Sequence, residues 1–438
     1  MPEKPPQSDW DDQLSGIFRA CAVALIGGLL IGVIGAAFRA GLSWLGARHL
    51  EFVEWAHSWP SLGWVFPIVL GAAGAAIARL MVRPHPLAAG SGVQHVEAIM
   101  RDEAQPGSLW IVPIKFFGGL LAIGSGLALG REGPTIQMGA TIGTELARRL
   151  RCVRDVMRDV QAALGGAGLA VAFNAPVGGA LFVFEEVARS FRLRLVLVTL
   201  IGSGTAIAVM RMILGASSDF HVRPLDAGSP WTLGAYLVLG CLLGLLGVLY
   251  NKIIIFGLDT FARLKQWPVE IRAGAVGAIV GLIAWFFPRF VGGGDGISQE
   301  ILDGGMTLGP LVLILLVRWV IGPLSYSAGT PGGLFSPLLL VGACLGAIFA
   351  GTLNTVIPAP HALSAIAFAI VGMTAFFTGV VRAPITGIVL IAEMTATTAL
   401  MVPMLVACFG AMLTASLVRG DPIYDTLRHR MLQSFNRI

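Results

Sequence analysis

The 438-residue sequence has little charge, because Asp, Glu, Lys and Arg together make up only 13% of it. Soluble domains carry roughly 25%. The apolar set reaches 55%, and the mean hydropathy is +0.80. So little charge excludes a soluble enzyme, a disordered chain and a nucleic-acid-binding protein. The apolar stretches are long and do not alternate with polar residues, which argues against a membrane β-barrel. An all-α polytopic membrane protein remains.

Cysteine is also scarce, and the five cysteines are scattered with no CxxC pair, which does not fit a disulfide framework or a metal site. The protease motifs HExxH and GxSG are missing. GGGD at residues 292–295 fits the GxGD pattern of intramembrane aspartyl proteases, but the only Tyr-Asp pair begins at Tyr424, far downstream. We therefore expect no metal, no cofactor and no enzymatic activity.

Eleven apolar stretches fill most of the chain, and many are interrupted by glycine or proline. In lipid, a broken helix leaves backbone N–H and C=O groups unsatisfied unless protein or a watery cavity covers them. We therefore expect these breaks to surround a functional site. The stretches lie near residues 20–46, 62–81, 109–130, 162–184, 195–214, 232–256, 273–289, 309–325, 333–356, 362–381 and 384–418.

The two halves of the chain share three sequence blocks in the same order. In each half a Gly-x-Gly block is followed 44 or 43 residues later by a proline, which has glycines five and nine positions after it. An Ala-Pro pair then comes nine positions before a glutamate. The alternative is chance alignment of residues that are common here, but the shared order favours a repeat. Repeated broken helices predict a transporter whose site lies between the repeats near the membrane midplane. The paired positions are Gly90 with Gly294, Pro134 with Pro337, and Pro176 with Pro384.

The loops predict the topology. Basic residues cluster near residues 263–272 and in the tail, whereas the loop near 216–230 is nearly free of positive charge, so the positive-inside rule places that loop outside. Three aspartates among the first fifteen residues do not fit a cleavable signal peptide. The predicted parts are a cytoplasmic segment at 1–18, a first inverted repeat at 19–215, an extracytoplasmic linker at 216–231, a second inverted repeat at 232–420 and a cytoplasmic tail at 421–438.

Three glycine-rich breaks, at residues 90–94, 130–134 and 332–337, stand where helices are predicted to begin. A helix N-terminus presents free N–H groups and a partial positive charge, and glycine lets the backbone approach an ion closely. Several such starts that converge in the membrane can bind an anion and still release it. The alternative for each break is close helix packing.

Glu132 lies inside one of these breaks, and a carboxylate within an apolar run is costly and indicates function. Its carboxylate could itself occupy the anion site, and protonation would remove that attraction. One residue would then link anion occupancy to proton occupancy. The alternative is a buried ion pair with the adjacent Arg131 that supports the fold.

These segments resemble a known family. GSG at residues 90–92, GREGP at 130–134 and GLFSP at 333–337 are similar to three signature segments of the CLC chloride channel and transporter family, and Tyr424 in DPIY is similar to the fourth. The resemblance spans about residues 20–430. It implies a homodimer with one anion pathway in each subunit, built from inverted repeats of tilted, partly broken helices. We expect a prokaryotic-type member without C-terminal regulatory domains.

The resemblance also implies roles for single residues. Ser91 and Tyr424 would offer hydroxyl groups to a central anion, Glu132 would be the external gate, and Lys115 matches a buried lysine behind the pathway. The alternative for Lys115 is a side chain that extends to the membrane surface. Position 94, where the family usually has proline, holds Gln94 here. The implied anion-binding positions are Ser91, Gly130, Arg131, Glu132, Gly133, Gly333, Leu334, Phe335 and Tyr424.

Glu186 favours an antiporter over a channel, because the family's exchangers have a proton-transfer glutamate at this position and its channels have an apolar residue. The alternative is a helix-end carboxylate paired with Arg189 or Arg192. The repeat-related Glu185 and Glu393 are expected to support the fold. Because no chain of acidic residues fills the gap in sequence between Glu186 and Glu132, we expect water to carry protons between them.

The resemblance therefore implies a chloride/proton antiporter gated by Glu132 in a bilayer, with chloride and protons as its partners and no nucleic acid. The expected location is the cell (inner) membrane of a prokaryote. Two alternatives share the fold: a passive voltage- or pH-gated chloride channel and a fluoride/proton antiporter. Fluoride-exporting relatives depart from the family at Ser91 and around the segment at 333–337, whereas this chain retains both, so chloride is the expected anion.

Overall fold

The structure, a computed structural model, describes residues 7–225, 230–356 and 361–435. Within these residues, seventeen α-helices form nearly the whole chain and no β-strand occurs. The helices are α1 (Gln7–His57), α2 (Val65–Val82), α3 (Val93–Met100), α4 (Ile111–Gly124), α5 (Glu132–Arg149), α6 (Arg154–Phe173), α7 (Pro176–Phe182), α8 (Leu193–Leu214), α9 (Thr232–Arg263), α10 (Val269–Phe286), α11 (Asp295–Leu302), α12 (Leu308–Ser327), α13 (Phe335–Leu353), α14 (Ala365–Val381), α15 (Pro384–Thr395), α16 (Met401–Leu417) and α17 (Ile423–Phe435).

Seven helices within the described ranges are long and apolar enough to cross a membrane, and α4, α14, α15 and α16 are shorter apolar helices. Large apolar side chains are exposed along the long helices, including Met212, Phe256 and Leu316. In water this exposure would cost about 25 cal/mol for each Å², whereas lipid removes the cost. The chain is therefore an integral membrane protein that crosses the bilayer several times, as its composition predicts.

Two of the predicted apolar stretches hold two helices each. The stretch at 162–184 contains the end of α6 and the whole of α7, because Pro176 begins a new helix. The stretch at 384–418 contains α15, which begins at Pro384 and ends before Ala396 with its positive φ, and α16, which begins at Met401. Proline has no N–H to donate and a preset φ, so it suits the first turn of a helix. A hydropathy plot merges such neighbours, since both helices of each pair are apolar.

The helices repeat in order. The eight helices α1–α8 are followed by eight more, α9–α16, and α17 remains at the end. The third helix of each set has eight residues, follows a short 3-10 turn, and begins after a glycine with positive φ, Gly92 in α3 and Gly294 in α11. This correspondence agrees with the repeat that the glycine and proline blocks predict.

The two sets are inverted relative to each other, as reciprocal contacts between α7 and α15 demonstrate. The Glu393 carboxylate, near the end of α15, accepts hydrogen bonds from the N–H groups of Val177 and Gly178 at the start of α7, at 3.1 and 2.8 Å. The Glu185 carboxylate, just beyond α7, accepts from the N–H groups of Ile385 and Thr386 at the start of α15, at 3.0 and 2.6 Å. Each helix therefore ends where the other begins, which requires antiparallel neighbours.

Between the sets, α8 ends at Leu214 and α9 begins at Thr232. Residues 226–229 of the predicted linker lie outside the described residues, as do residues 1–6 and 436–438 of the predicted terminal segments.

Candidate anion and proton site

The backbone brings the three glycine-rich breaks together. Gly90 accepts a hydrogen bond from the N–H of Gly332 at 3.1 Å and donates to the carbonyl oxygen of Thr330 at 3.1 Å. Gly130 and Gly333 exchange two hydrogen bonds, at 2.9 and 2.7 Å. These backbone hydrogen bonds join two breaks of the first repeat to one break of the second. The three breaks therefore meet between the repeats, where the sequence predicts the anion site.

The Glu132 side chain lies at the start of α13. It is fully buried, and its Oε1 atom accepts a hydrogen bond from the N–H of Phe335 at 2.6 Å. Its Oε2 atom is 3.3 Å from the Ser336 hydroxyl oxygen, which donates to it. Glu132 is also the first residue of α5, so two helix starts from opposite repeats meet at one carboxylate. A helix start stabilises an anion, and here Glu132 supplies that negative charge.

Glycine is required around this carboxylate. A Cβ atom at Gly130 or at Gly333 would stand 2.1 Å from a Glu132 carboxylate oxygen, and one at Gly133 would stand 2.7 Å from the Ser91 hydroxyl oxygen. Real Cβ atoms do not approach other atoms so closely. The glycines thus shape a pocket that just admits a carboxylate, which is the predicted role of glycine at these breaks.

Ser91 and Tyr424 both lie in this region and are fully buried. Their hydroxyl groups lie within reach of each other, and neither has a further hydrogen-bond partner among the described residues. The Tyr424 ring packs against Phe335 with 6.1 Å between ring centroids, and Leu334 immediately precedes α13. Buried hydroxyl groups are normally paired, so these two are available to a bound ion. The predicted Ser91, Tyr424, Leu334 and Phe335 positions therefore lie around one point.

The Arg131 side chain does not form the ion pair with Glu132 that the sequence left open as an alternative. Its guanidinium group does not contact the Glu132 carboxylate, and no ion pair joins these two residues in the described part of the chain. It pairs instead with Asp219 at 2.7 Å and Asp295 at 3.1 Å, and donates to the carbonyl oxygen of Ala172 at 2.7 Å. The alternative of a fold-stabilising Arg131–Glu132 pair is therefore wrong, and the Arg131 side chain lies beside the pocket.

Arg131 lines a cavity of about 580 Å³, which we name the arginine cavity. Arg39 also lines it and pairs with Asp219. The cavity reaches Ser336, one of the two residues that donate to Glu132. It therefore connects one surface of the protein with the pocket that holds the Glu132 carboxylate.

Lys115 supports the first glycine-rich break from behind. Its ammonium group is fully buried and donates to the carbonyl oxygens of Gly90 and Ser91, at 2.6 and 3.1 Å. The alternative of a lysine that extends to the membrane surface is therefore wrong. Sequence reasoning missed its counterpart, Arg318, which donates to the carbonyl oxygens of Gly292 and Val291 at 2.6 and 3.0 Å. The spacing of the repeat was the available signal, because both cations follow their Gly-x-Gly block by about 25 residues.

Glu186 lies in a π-helical turn (Val183–Val187) that continues α7, and its side chain is buried. Its Oε2 atom is 3.7 Å from a guanidinium nitrogen of Arg189, while its Oε1 atom has no hydrogen-bond partner in the described ranges. Arg192 pairs with Asp159 at 2.8 Å instead. The alternative role for Glu186, a helix-end carboxylate paired with an arginine, is therefore supported only by the long contact to Arg189.

Sequence reasoning also missed Glu97 in α3, whose carboxylate is fully buried. The signal was present, because Val93, Val96, Glu97 and Met100 follow the i, i+3, i+4, i+7 spacing of one helix face. A carboxylate on an apolar helix face is costly to bury and indicates function, as it does at Glu132.

Comparison with known proteins agrees with this geometry. The sequence model of the family described as voltage gated chloride channel matches residues 73–416. The chain belongs to this family. The CLC resemblance that its signature segments carry is therefore confirmed.

Individual CLC relatives cover nearly the whole chain. It is 36% identical over 420 residues to the H(+)/Cl(-) exchange transporter ClcA of Cronobacter sakazakii, covering 94% of this chain and 89% of that protein. It is 35% identical to ClcA of Vibrio parahaemolyticus, covering 95% and 91%. Among solved structures, a slow cyanobacterial Cl-/H+ antiporter matches with a TM-score of 0.90 and 30% identity, covering 95% of this chain and 99% of that one. The CLC fold of inverted repeats is thereby confirmed.

Proposed function

We propose that this CLC protein is a chloride/proton antiporter gated by Glu132. The observation that carries the proposal is the Glu132 carboxylate at the start of α13, 2.6 Å from the N–H of Phe335. A carboxylate that occupies an anion site competes with chloride when ionised and leaves when protonated. The names of the relatives as exchange transporters support exchange and a transporter rather than an enzyme.

Chloride enters through the arginine cavity, which reaches Ser336 beside the Glu132 carboxylate. It then displaces the Glu132 carboxylate from the N–H group of Phe335. A second chloride binds deeper, where the hydroxyl groups of Ser91 and Tyr424 are available. Partial charges and hydroxyl groups hold the ion without a full countercharge, which permits its release.

Protons reach Glu132 from the other side. Glu186 is the inner proton-transfer group, because it is a buried carboxylate with one free oxygen close to a surface arginine. A proton that passes from Glu186 to Glu132 neutralises the gate and releases it from the α13 start. The same event opens the site to chloride, so each ion moves only when the other moves.

The orientation and assembly belong to the same proposal. Asp219, from the predicted extracytoplasmic linker, lines the arginine cavity, which supports an outward-facing cavity. We place the protein in the cell (inner) membrane of a prokaryote, in keeping with its bacterial relatives. We also propose a homodimer with one complete pathway in each subunit.

The test uses purified protein in liposomes with an imposed chloride gradient, while valinomycin and potassium clamp the voltage and an electrode records external pH. An antiporter moves protons uphill, driven by chloride. Glu132→Ala should retain chloride flux and lose proton movement. Glu51→Gln, which removes an exposed carboxylate on α1, should match the unsubstituted protein.

Other results would redirect the proposal. Chloride flux without proton movement in the unsubstituted protein would establish the passive channel. Flux of fluoride in place of chloride would establish the fluoride/proton antiporter. Uphill proton movement that survives Glu132→Ala would contradict the assignment of the gate.

A further inference from the structure

Glu97 is a buried carboxylate that the mechanism above does not use. Its side chain is fully buried, and both carboxylate oxygen atoms lack a hydrogen-bond partner among the described residues. It lies in α3, which begins at Val93 immediately after the glycine-rich break that contains Ser91. Four residues of helix separate Val93 from Glu97, which is about 6 Å or one turn. Glu97 therefore lies one helical turn beyond the anion site.

Glu97 also lies near the inner proton-transfer group. The helix α3 packs against the π-helical turn that contains Glu186 and against α17, which contains Tyr424 and Asp425. The Glu97 carboxylate is therefore within electrostatic range of Glu186, Asp425 and Tyr424, and Tyr424 is within range of Glu132. Glu97 therefore lies between Glu186 and the anion site, in the gap between Glu186 and Glu132 where the sequence predicts water alone.

The three neighbouring carboxylates Asp425, Glu186 and Glu97 differ in how many arginines pair with them. Asp425 pairs with Arg189 at 2.9 Å, with Arg428 at 3.1 Å and with Arg101 at 3.4 Å. Glu186 has only the 3.7 Å contact to Arg189. Glu97 has no ion pair among the described residues, although Arg101 and Arg428 act on it at longer range.

His95, on the same helix, contacts Gln105 and Gln137 and is not one of these partners. The groups that act on Glu97 are thus two carboxylates, the three guanidinium groups of Arg101, Arg189 and Arg428, and one phenol, none of which bonds to its oxygen atoms.

A structural role does not explain these surroundings. Glu185 and Glu393, the two glutamates that support the fold, use both carboxylate oxygen atoms to bind helix starts. Glu97 binds nothing in the described part of the chain. An ionised carboxylate without donors is expensive to bury, and a second carboxylate nearby adds repulsion. Both effects favour the neutral acid, which has a proton to pass on.

We propose that Glu97 is a second proton-transfer residue, which carries protons between Glu186 and Glu132. The neutral Glu97 carboxyl group first gives its proton, through water, to the Glu132 carboxylate, and the Glu186 carboxyl group then gives its proton to the Glu97 carboxylate. Each transfer leaves the donor ionised and the acceptor neutral, so Glu97 is ionised only in passing. This role rests on the proposed antiport function.

The experiment measures chloride and proton fluxes in the liposome assay for Glu97→Gln and Glu97→Asp. Gln preserves the size of the side chain but cannot ionise, whereas Asp is shorter but can. Glu97→Gln should retain chloride flux and lose proton flux by about tenfold or more, within the range typical of a missing acid–base group. Glu97→Asp should recover part of the proton flux.

Two controls accompany these variants. Glu103→Gln removes a nearby, partly exposed carboxylate that pairs with Arg428 at 3.4 Å. This variant should leave the proton-to-chloride ratio unchanged. Glu186→Gln should lose proton flux. If Glu97→Gln couples normally while Glu186→Gln does not, the proposal for Glu97 is overturned and the antiporter remains. If the unsubstituted protein moves no protons, the antiport function itself fails.

A purely structural role predicts the opposite order of variants. If size and packing alone matter at Glu97, the Gln variant retains both fluxes better than the Asp variant, and that order overturns the proposal. Should Glu97→Gln fail to reach the membrane, Glu97→His provides the same test, because histidine titrates near pH 6.5 and aspartate near pH 3.9. The pH at which proton flux is half-maximal should then differ between Glu97→His and Glu97→Asp, and identical pH profiles would overturn the proposal.

Discussion

Gly333 is the single residue on which the position of the gate depends most directly. An added Cβ atom would stand 2.1 Å from the Glu132 Oε1 atom and 2.8 Å from the backbone nitrogen of Gly133. The Glu132 Oε1 atom cannot move away without losing its hydrogen bond from the N–H of Phe335.

We therefore expect Gly333→Ala to displace the Glu132 carboxylate. The added methyl group takes up room in the pocket that both the carboxylate and chloride must occupy, so both fluxes should fall by about tenfold or more. Gly204→Ala in α8 is the matched control, because no atom lies within 4 Å of the Cβ position there. Equal chloride flux in the two variants, measured in liposomes, would contradict the pocket described here.

Lys115 provides a second test at the residue scale. Lys115→Met would leave the carbonyl oxygens of Gly90 and Ser91 without their charged donor. The expected loss is about 1.5–3 kcal/mol in the free energy of unfolding, seen as a lower thermal midpoint in detergent. Arg318→Met should behave alike, because Arg318 holds the corresponding break of the other repeat. Lys252→Met, on the exposed side of α9, should leave the midpoint unchanged.

At the scale of helices, α7 and α15 stabilise each other through their glutamates. Neutralising Glu185 or Glu393 removes a charged acceptor from a helix start, which typically costs about 1–2 kcal/mol. We expect each Gln variant to lower the thermal midpoint while the proton-to-chloride ratio stays normal. Glu186→Gln should instead leave the thermal midpoint unchanged and lower the proton-to-chloride ratio, since Glu186 binds no helix start. A normal thermal midpoint in both cap variants would contradict the structural role of these glutamates.

The sequence predicts the helix starts at the site better than it predicts the partners of each side chain. Glycine and proline mark the start of a helix locally, so α5 and α13 begin where the breaks predict. Arg131 shows the limit, because its partners Asp219 and Asp295 lie 88 and 164 positions away, and only the fold brings them together. Glu97 was accessible from helical spacing, but its pattern covers only the eight residues of α3.

At the scale of the whole molecule, one chain contains every element of the site. The proposed gate, the hydroxyl groups and the two proposed proton-transfer residues come from α3, α5, α7 and α17 and from the turns beside them. Two subunits of a homodimer should therefore transport independently. In a linked dimer of one unsubstituted subunit and one Glu132→Ala subunit, proton flux should be about half that of the unsubstituted dimer. A complete loss of proton flux would indicate that the two pathways depend on each other.

The most direct test of exchange reverses the driving force. Sealed liposomes that contain the protein are given a proton gradient, with the voltage clamped, and chloride is measured inside. An antiporter accumulates chloride against its own gradient until the proton gradient is spent, and both Glu132→Ala and Glu186→Gln abolish that accumulation. Chloride that only equilibrates across the membrane in the unsubstituted protein would contradict the account.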